Sequence, residues 1–142
     1  MDPNSKSLNR FVEAQEPVYG QVREELAAGR KESHWMWFVF PQLQSLGRSS
    51  TAQYFGLAGT DEALAYWRHP VLDPRLKECC ELILQVDGRS AIEIFGSTDA
   101  MKLRSSMTLF AEAAPELTVF EAVLKKYCHG EKDAATQALL GY

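Results

Sequence analysis

The chain of 142 residues has little of what the common catalytic frameworks are built from. It has no apolar run near the ~18 residues that a membrane-spanning helix needs, and its opening MDPNSKSLNR has no apolar stretch of the kind that directs export. The expectation is a cytoplasmic protein with no membrane partner. Cysteine is scarce and unpaired in pattern: Cys79, Cys80 and Cys128 give an odd count without Cys-x-x-Cys spacing. Neighbouring cysteines on one helix do not readily bridge, so reduced thiols packed as small hydrophobes are expected. With three histidines set far apart, no metal site and no cofactor are expected either. Gly-x-Ser-x-Gly, Cys-Gly and both standard glycine-rich phosphate loops are missing, which argues against an ordinary serine hydrolase, kinase or dehydrogenase. Cationic surplus is also lacking. Lys and Arg number 15 against 19 Asp and Glu, a net charge of -4, so counterion release has little to work with and no nucleic-acid partner is expected.

What is present is ordinary globular material, 46% hydrophobic and 24% charged. A chain of this size buries about two-thirds of its unfolded surface around one core. Residues 1–7 read as a polar tail and 8–142 as a single domain without internal repeats. From Leu8 the stripe Leu8, Val12, Gln15, Tyr19, Val22, Leu26 alternates steps of four and three, which predicts helix to Gly29 with a kink or fresh start at Pro17. WMWFVF suits a buried strand by propensity, but no partner run exists, so a short helix or turn stopped by Pro41 is favoured. Further helices are predicted from Thr60 to about Arg68, from Asp73-Pro74 to Gly88, from a Ser90–Glu93 capping box to Gly96, and from near Ser97 to Pro115. A stripe ending at Gly130 and a last helix from about Lys132 to Leu140 complete an all-α, compact, irregular bundle of short helices.

Two polar constellations carry the chemistry. The first, Arg30-Lys31-Glu32-Ser33-His34-Trp35-Met36-Trp37 running to Gln42, sets cations and an imidazole beside two indoles, a way to hold an anion or a flat ring. The plainer reading is core aromatics and a solvated helix end. The second is Asp99, Lys102, Ser105 and Ser106, which offsets of three and four place on one side of a helix opposite Ala100, Leu103, Met107 and Phe110. Its plainer reading is a wet face with an Asp99–Lys102 pair. His34 is the candidate acid or base, against the reading that it is a satisfied structural histidine.

The motifs SHWMWFVFPQ, LGRSS with AQYF, AYWRHPVLDPRL and IFGSTDAMKLRSSMTLF, preceded by LNRFVEAQ, stand here in fixed order. On them the chain resembles the eighteen-ten domain-of-unknown-function family of small bacterial proteins, over nearly its whole length. The resemblance implies a compact all-helical fold and no established reaction. It places His34, Trp37, Pro41 and Gln42 in one motif and Asp99, Lys102, Ser105 and Thr108 in another. Some similar proteins carry the label calpastatin; an inhibitor that wraps a protease would be long and disordered, unlike this chain.

Three functional expectations follow. The first is a pocket for an anionic, ring-containing, nucleotide-like small molecule, built where the two motifs meet from Gln15, Lys31, His34, Trp37, Gln42, Arg48, Tyr54, Asp99, Lys102 and Ser105. The second is a non-enzymatic interaction module, such as a homodimer, using the aromatic segment as its surface. The third is a transferase or hydrolase on a nucleotide-like substrate with His34 as acid or base.

Overall fold

The stripe that begins at Leu8 folds as two helices. In the computed structural model, which describes residues 3–141 with the side chains of residues 3–7 excepted, α1 spans Pro3–Gln15 and α2 spans Tyr19–Ala28. Pro17 lies in the turn between them, where a missing amide donor costs nothing. Gly29, at φ 70°, closes α2 in the left-handed conformation. Helix α1 takes in part of the stretch read as a polar tail; Met1 and Asp2 lie outside the described residues.

WMWFVF forms no strand. α3 is a single turn, Met36–Val39, followed by Pro41, a 3₁₀ turn at Gln44–Leu46 and a short α4, Ser50–Phe55, that the sequence reading did not anticipate. Its signal is local: the Ser49 hydroxyl accepts the Ala52 amide at 3.1 Å as an N-cap. One parallel bridge, Leu43 with Leu57, ties the two ends of this segment together. The crossing is so close that a Cβ on Gly56 would fall 2.2 Å from the Gln44 Cα, which leaves glycine alone at that position.

Helices α5 (Thr60–Arg68) and α6 (Leu72–Leu84) come next. Capping by Asp73 is not what starts α6. The His69 ring does that work, its Nδ1 accepting the amides of Val71 at 3.1 Å and Leu72 at 3.4 Å. α7 (Ala91–Phe95) opens with both arms of the capping box, Ser90 Oγ accepting the Glu93 amide and the Glu93 carboxylate accepting the Ser90 amide. α8 (Ser97–Ala113), α9 (Val119–Cys128) and α10 (Ala134–Leu139) follow, the last capped by Asp133. The fold is all-α, with no named strand among the described residues.

α8 is the axis of the bundle, with α5, α7, α9 and α10 packed around it. Residues Ser105 to Ala111 are buried without interruption, so the second half of α8 has no wet face. Aromatic rings fill the space between helices: Tyr66 and Phe120 meet Phe110 at 5.4 and 5.3 Å, and Phe11 meets Tyr66 edge-on at 5.1 Å. Each such buried side chain contributes about 1.5–3 kcal/mol by area. The three cysteines are free and buried, and burial pushes the Cys79 thiol up to about 12 and that of Cys80 well above its ordinary value. No helix of the described residues is long and apolar enough to cross a membrane.

Candidate functional site

The two constellations meet, although they are some seventy positions apart in the chain. Asp99, in the first turn of α8, stands between two ammonium groups: its Oδ2 lies 2.8 Å from Lys31 Nζ and its Oδ1 3.6 Å from Lys102 Nζ. Each lysine also lies over an indole, Lys31 at 5.0 Å from the centroid of Trp35 and Lys102 at 5.1 Å from that of Trp37. One carboxylate therefore serves two cations, and each cation rests on its own aromatic face.

The Lys31–Trp35 pair is committed to the fold. The Lys31 side chain is only 7% exposed, its ammonium donates to the Ser33 carbonyl at 2.6 Å, and its backbone amide donates to Ile94. Trp35 is 1% exposed, and its indole N–H donates to Glu25 at 2.9 Å. Glu25 fastens the whole corner. Burial alone would raise its pKa, but the Ser33 hydroxyl, the amides of Ser33 and Glu32 and the Trp35 indole all donate to the carboxylate, and together they hold it down to about 2.

The Lys102–Trp37 pair is different. Lys102 lies on the wall of an open cavity of about 490 Å³ between the start of α4, α8 and the start of α10. Arg48, Gln42, Thr98 and Ser105 share that wall, and Leu46, Ala52, Met101 and Ala135 supply its apolar part. A narrow aromatic cleft formed by Trp37, Phe40 and Phe55 adjoins it, sharing Gln42, Ala52 and Lys102. Lys102 is held by an exposed-type cation–π contact of about 0.5–1 kcal/mol and a partial ion pair of under about 1 kcal/mol. The Gln42 amide makes no hydrogen bond among the described residues. Asp133 adds one negative charge, its Oδ2 already accepting from the Thr136 amide and hydroxyl at 2.9 and 2.6 Å. With Lys31, Arg48 and Lys102 against Asp99 and Asp133, the surroundings keep one surplus positive charge, and a bound carboxylate or phosphate group would neutralise it.

Of the ten residues nominated from sequence, Gln42, Arg48, Lys102 and Ser105 line this cavity, and Trp37 lines the adjoining cleft. Ser105 turns its hydroxyl back to the Met101 carbonyl at 3.2 Å. Asp99 and Lys31 stand behind Lys102 as supports. Three nominated residues are elsewhere. Gln15, 2% exposed, is spent inside the core, donating to the Phe38 carbonyl and the Tyr66 hydroxyl and accepting from Arg75. His34 is exposed on the bend before α3, outside the residues that line the cavity, and has no hydrogen bond among the described residues. Tyr54 is 61% exposed, its ring meets that of Phe55 edge-on at 4.9 Å, and its carbonyl receives Arg10 Nε.

Sequence reasoning missed Ser49, Met101 and Asp133 on the cavity wall. The Ser49 and Asp133 caps were legible, each being a capping side chain three residues before the amide it accepts, at Ala52 and Thr136. Met101 had no signal, since it is 71% exposed on a helix whose apolar stripe lies elsewhere. Among the described residues no group of three or more His, Cys, Asp or Glu is placed to hold a metal ion.

Comparison with known proteins gives two findings. A sequence model described as a protein of unknown function (DUF1810) matches residues 5–140. The crystal structure at 1.38 Å of the conserved hypothetical protein Rv1873 from Mycobacterium tuberculosis is similar throughout: 55% sequence identity, TM-score 0.95, with 99% of each chain covered. Among curated proteins none matches.

Proposed function

The chain belongs to a family of unknown function, DUF1810, and we propose that it binds, in the cavity between α4, α8 and α10, a small anionic molecule that carries a flat ring and is nucleotide-like in chemistry. One observation carries the reading. Lys102 presents a cation to a cavity of about 490 Å³ while the carboxylate nearest to it is already taken at 2.8 Å by Lys31. A volume of that order suits a ligand of drug or nucleoside size. Arg48 supplies a second cation, Gln42 an uncommitted amide, and the apolar wall of Leu46, Ala52 and Met101 a surface for a ring. Asp133 on the same wall opposes a second anionic group, which favours ligands that carry only one.

Thermal denaturation against a panel of nucleoside monophosphates, sugar phosphates and dicarboxylates tests it. A ligand at ten times its Kd stabilises the native state by about 1.4 kcal/mol, a rise in Tm of about 3–5 °C for a chain of this size. The expected result is such a rise for aromatic phosphates, abolished in Lys102→Met. No rise for any member at millimolar concentration overturns the proposal.

One observation favours a second reading, an interaction surface. Ile92 and Met101, 63% and 71% exposed, flank a second groove of about 430 Å³ between α7, α8 and the end of α9, which shares Met101 with the cavity. Light scattering separates the readings: a dimer lost in Met101→Lys supports the surface, and a monomer at all concentrations removes the homodimer.

A further inference from the structure

We infer that Lys102 is a displaceable cover on the Trp37 ring, so that the cavity admits a flat group only when an anion arrives with it; the inference rests on the anion-binding reading above and makes Lys102 its specificity-determining residue. The Lys102 ammonium lies over the Trp37 ring at 5.1 Å. The same side chain is shared by the open cavity and by the aromatic cleft, so it stands at their junction. As it stands, the cleft holds free space of about 10 Å³, enough for a single water and not for a ring. A ring can therefore reach Trp37 only if Lys102 leaves.

What holds Lys102 in place is weak, and what would draw it away is stronger. Its ion pair with Asp99 is long, 3.6 Å, because Asp99 has turned its other oxygen to Lys31 at 2.8 Å. A phosphate or carboxylate in the cavity offers the ammonium short charge-assisted hydrogen bonds. Lys31, 7% exposed and bound to both Asp99 and the Ser33 carbonyl, keeps Asp99 neutralised when Lys102 departs, so the departure strands no buried charge. The vacated indole face, bordered by Phe40, Phe55 and the unbonded Gln42 amide, then accepts the ligand's ring by stacking, with Gln42 beside its edge. A neutral ring provides nothing to pull the ammonium away and is refused. The ligand class is thus an aromatic or heteroaromatic ring joined to one anionic group.

The test uses the full chain labelled with ¹⁵N, reading the indole N–H resonances of Trp35, Trp37 and Trp67, with that of Trp37 identified by its loss in Trp37→Phe. The probes are phenyl phosphate, inorganic phosphate and phenol. Phenyl phosphate is expected to bind at least tenfold more tightly than inorganic phosphate and to shift the Trp37 indole while those of Trp35 and Trp67 stay. Phenol is expected to bind wild type at least tenfold more weakly than phenyl phosphate. In Lys102→Ala, which uncovers the ring, that advantage is expected to shrink to less than threefold as phenol binding improves; Lys102→Gln serves if the alanine variant does not fold. Equal affinity for phenyl and inorganic phosphate, a Trp37 indole unmoved while the Thr98 and Ser105 amides shift, or no gain of phenol binding on removing Lys102 overturns the cover and leaves the anion site standing. Silence of every cavity amide toward both phosphates overturns the anion reading and the cover with it.

Discussion

Two lysine–tryptophan pairs lie on either side of Asp99 with nearly the same spacing, and they serve opposite ends. Lys31 over Trp35 is sealed: the ring is 1% exposed, its N–H is bound to Glu25, and the ammonium has two oxygen partners. Lys102 over Trp37 is open to a cavity, has a distant share of one carboxylate and a half-buried ring beneath it. The same residue types in the same geometry are architecture in one place and available chemistry in the other. What separates them is how many other groups each polar atom has already found.

The comparison is broken most forcefully by removing the rings. Trp35→Ala deletes a fully buried indole and leaves Glu25 without one of its donors, and it is expected to cost about 3–5 kcal/mol in denaturant unfolding, whereas Trp37→Ala, half-buried, costs about 1–2 kcal/mol. Equal costs would show that the two pairs do not differ in the way described.

Next in size is the carboxylate they share. Asp99→Asn leaves the Lys31 ammonium buried without its counter-charge and is expected to cost about 2–4 kcal/mol, discounted from the fully buried case because Asp99 is 20% exposed. Lys102→Met removes only a weak pair, so its cost stays under about 1 kcal/mol. Urea midpoints of the two variants give the contrast directly.

The sealed corner also has a pH signature. Glu25 is held at about 2 in the folded state against an ordinary 4.5, so its contribution is present in full above about 4.5 and is lost as the pH falls through that window toward 2. The contribution is about 2–3 kcal/mol. Glu25→Gln is expected to flatten the stability profile between those pH values, and an unchanged profile would mean the four donors do not act on the charge.

How far all of this could be read in the sequence depends on the kind of signal. Periodicity and caps carried the helices well: the Ser90–Glu93 box, the break at Pro17 and the end at Gly29 stand where the residues put them. The Ser49 cap that opens α4 was there to be read and was passed over, whereas the Leu43–Leu57 bridge was not legible, because its cause is a backbone crossing at Gly56 that only the assembled chain creates. For the site, the offsets grouped Asp99, Lys102, Ser105 and Ser106 on one side of α8; Lys102 and Ser105 do line one cavity with Asp99 beside Lys102, but Ser106 is fully buried in the core, its hydroxyl without a partner among the described residues. The offsets did not reveal that α10 and the 3₁₀ turn close over that side, nor that Gln15 would be claimed by Phe38 and Tyr66 from the core. Composition shows which polar groups exist, while their satisfaction is settled by contacts distant in sequence.

The smallest expected effect concerns the thiols. Cys79, Cys80 and Cys128 are buried, with the first two held protonated by their surroundings, so a thiol reagent should label none of them in the native protein faster than the chain opens. Prompt labelling of any one would place it on the wet side of the molecule.

The most direct test of the account is the affinity for phenyl phosphate of wild type, Lys31→Met and Lys102→Met, measured by calorimetry on variants whose folding is verified by circular dichroism. The expected result is a loss of at least tenfold in Lys102→Met, which removes the cation that meets the anion, and a clearly smaller loss in Lys31→Met, which acts only by releasing Asp99 to hold Lys102 more closely. Equal losses in the two, or none in Lys102→Met, would contradict the division between a sealed pair and an available one.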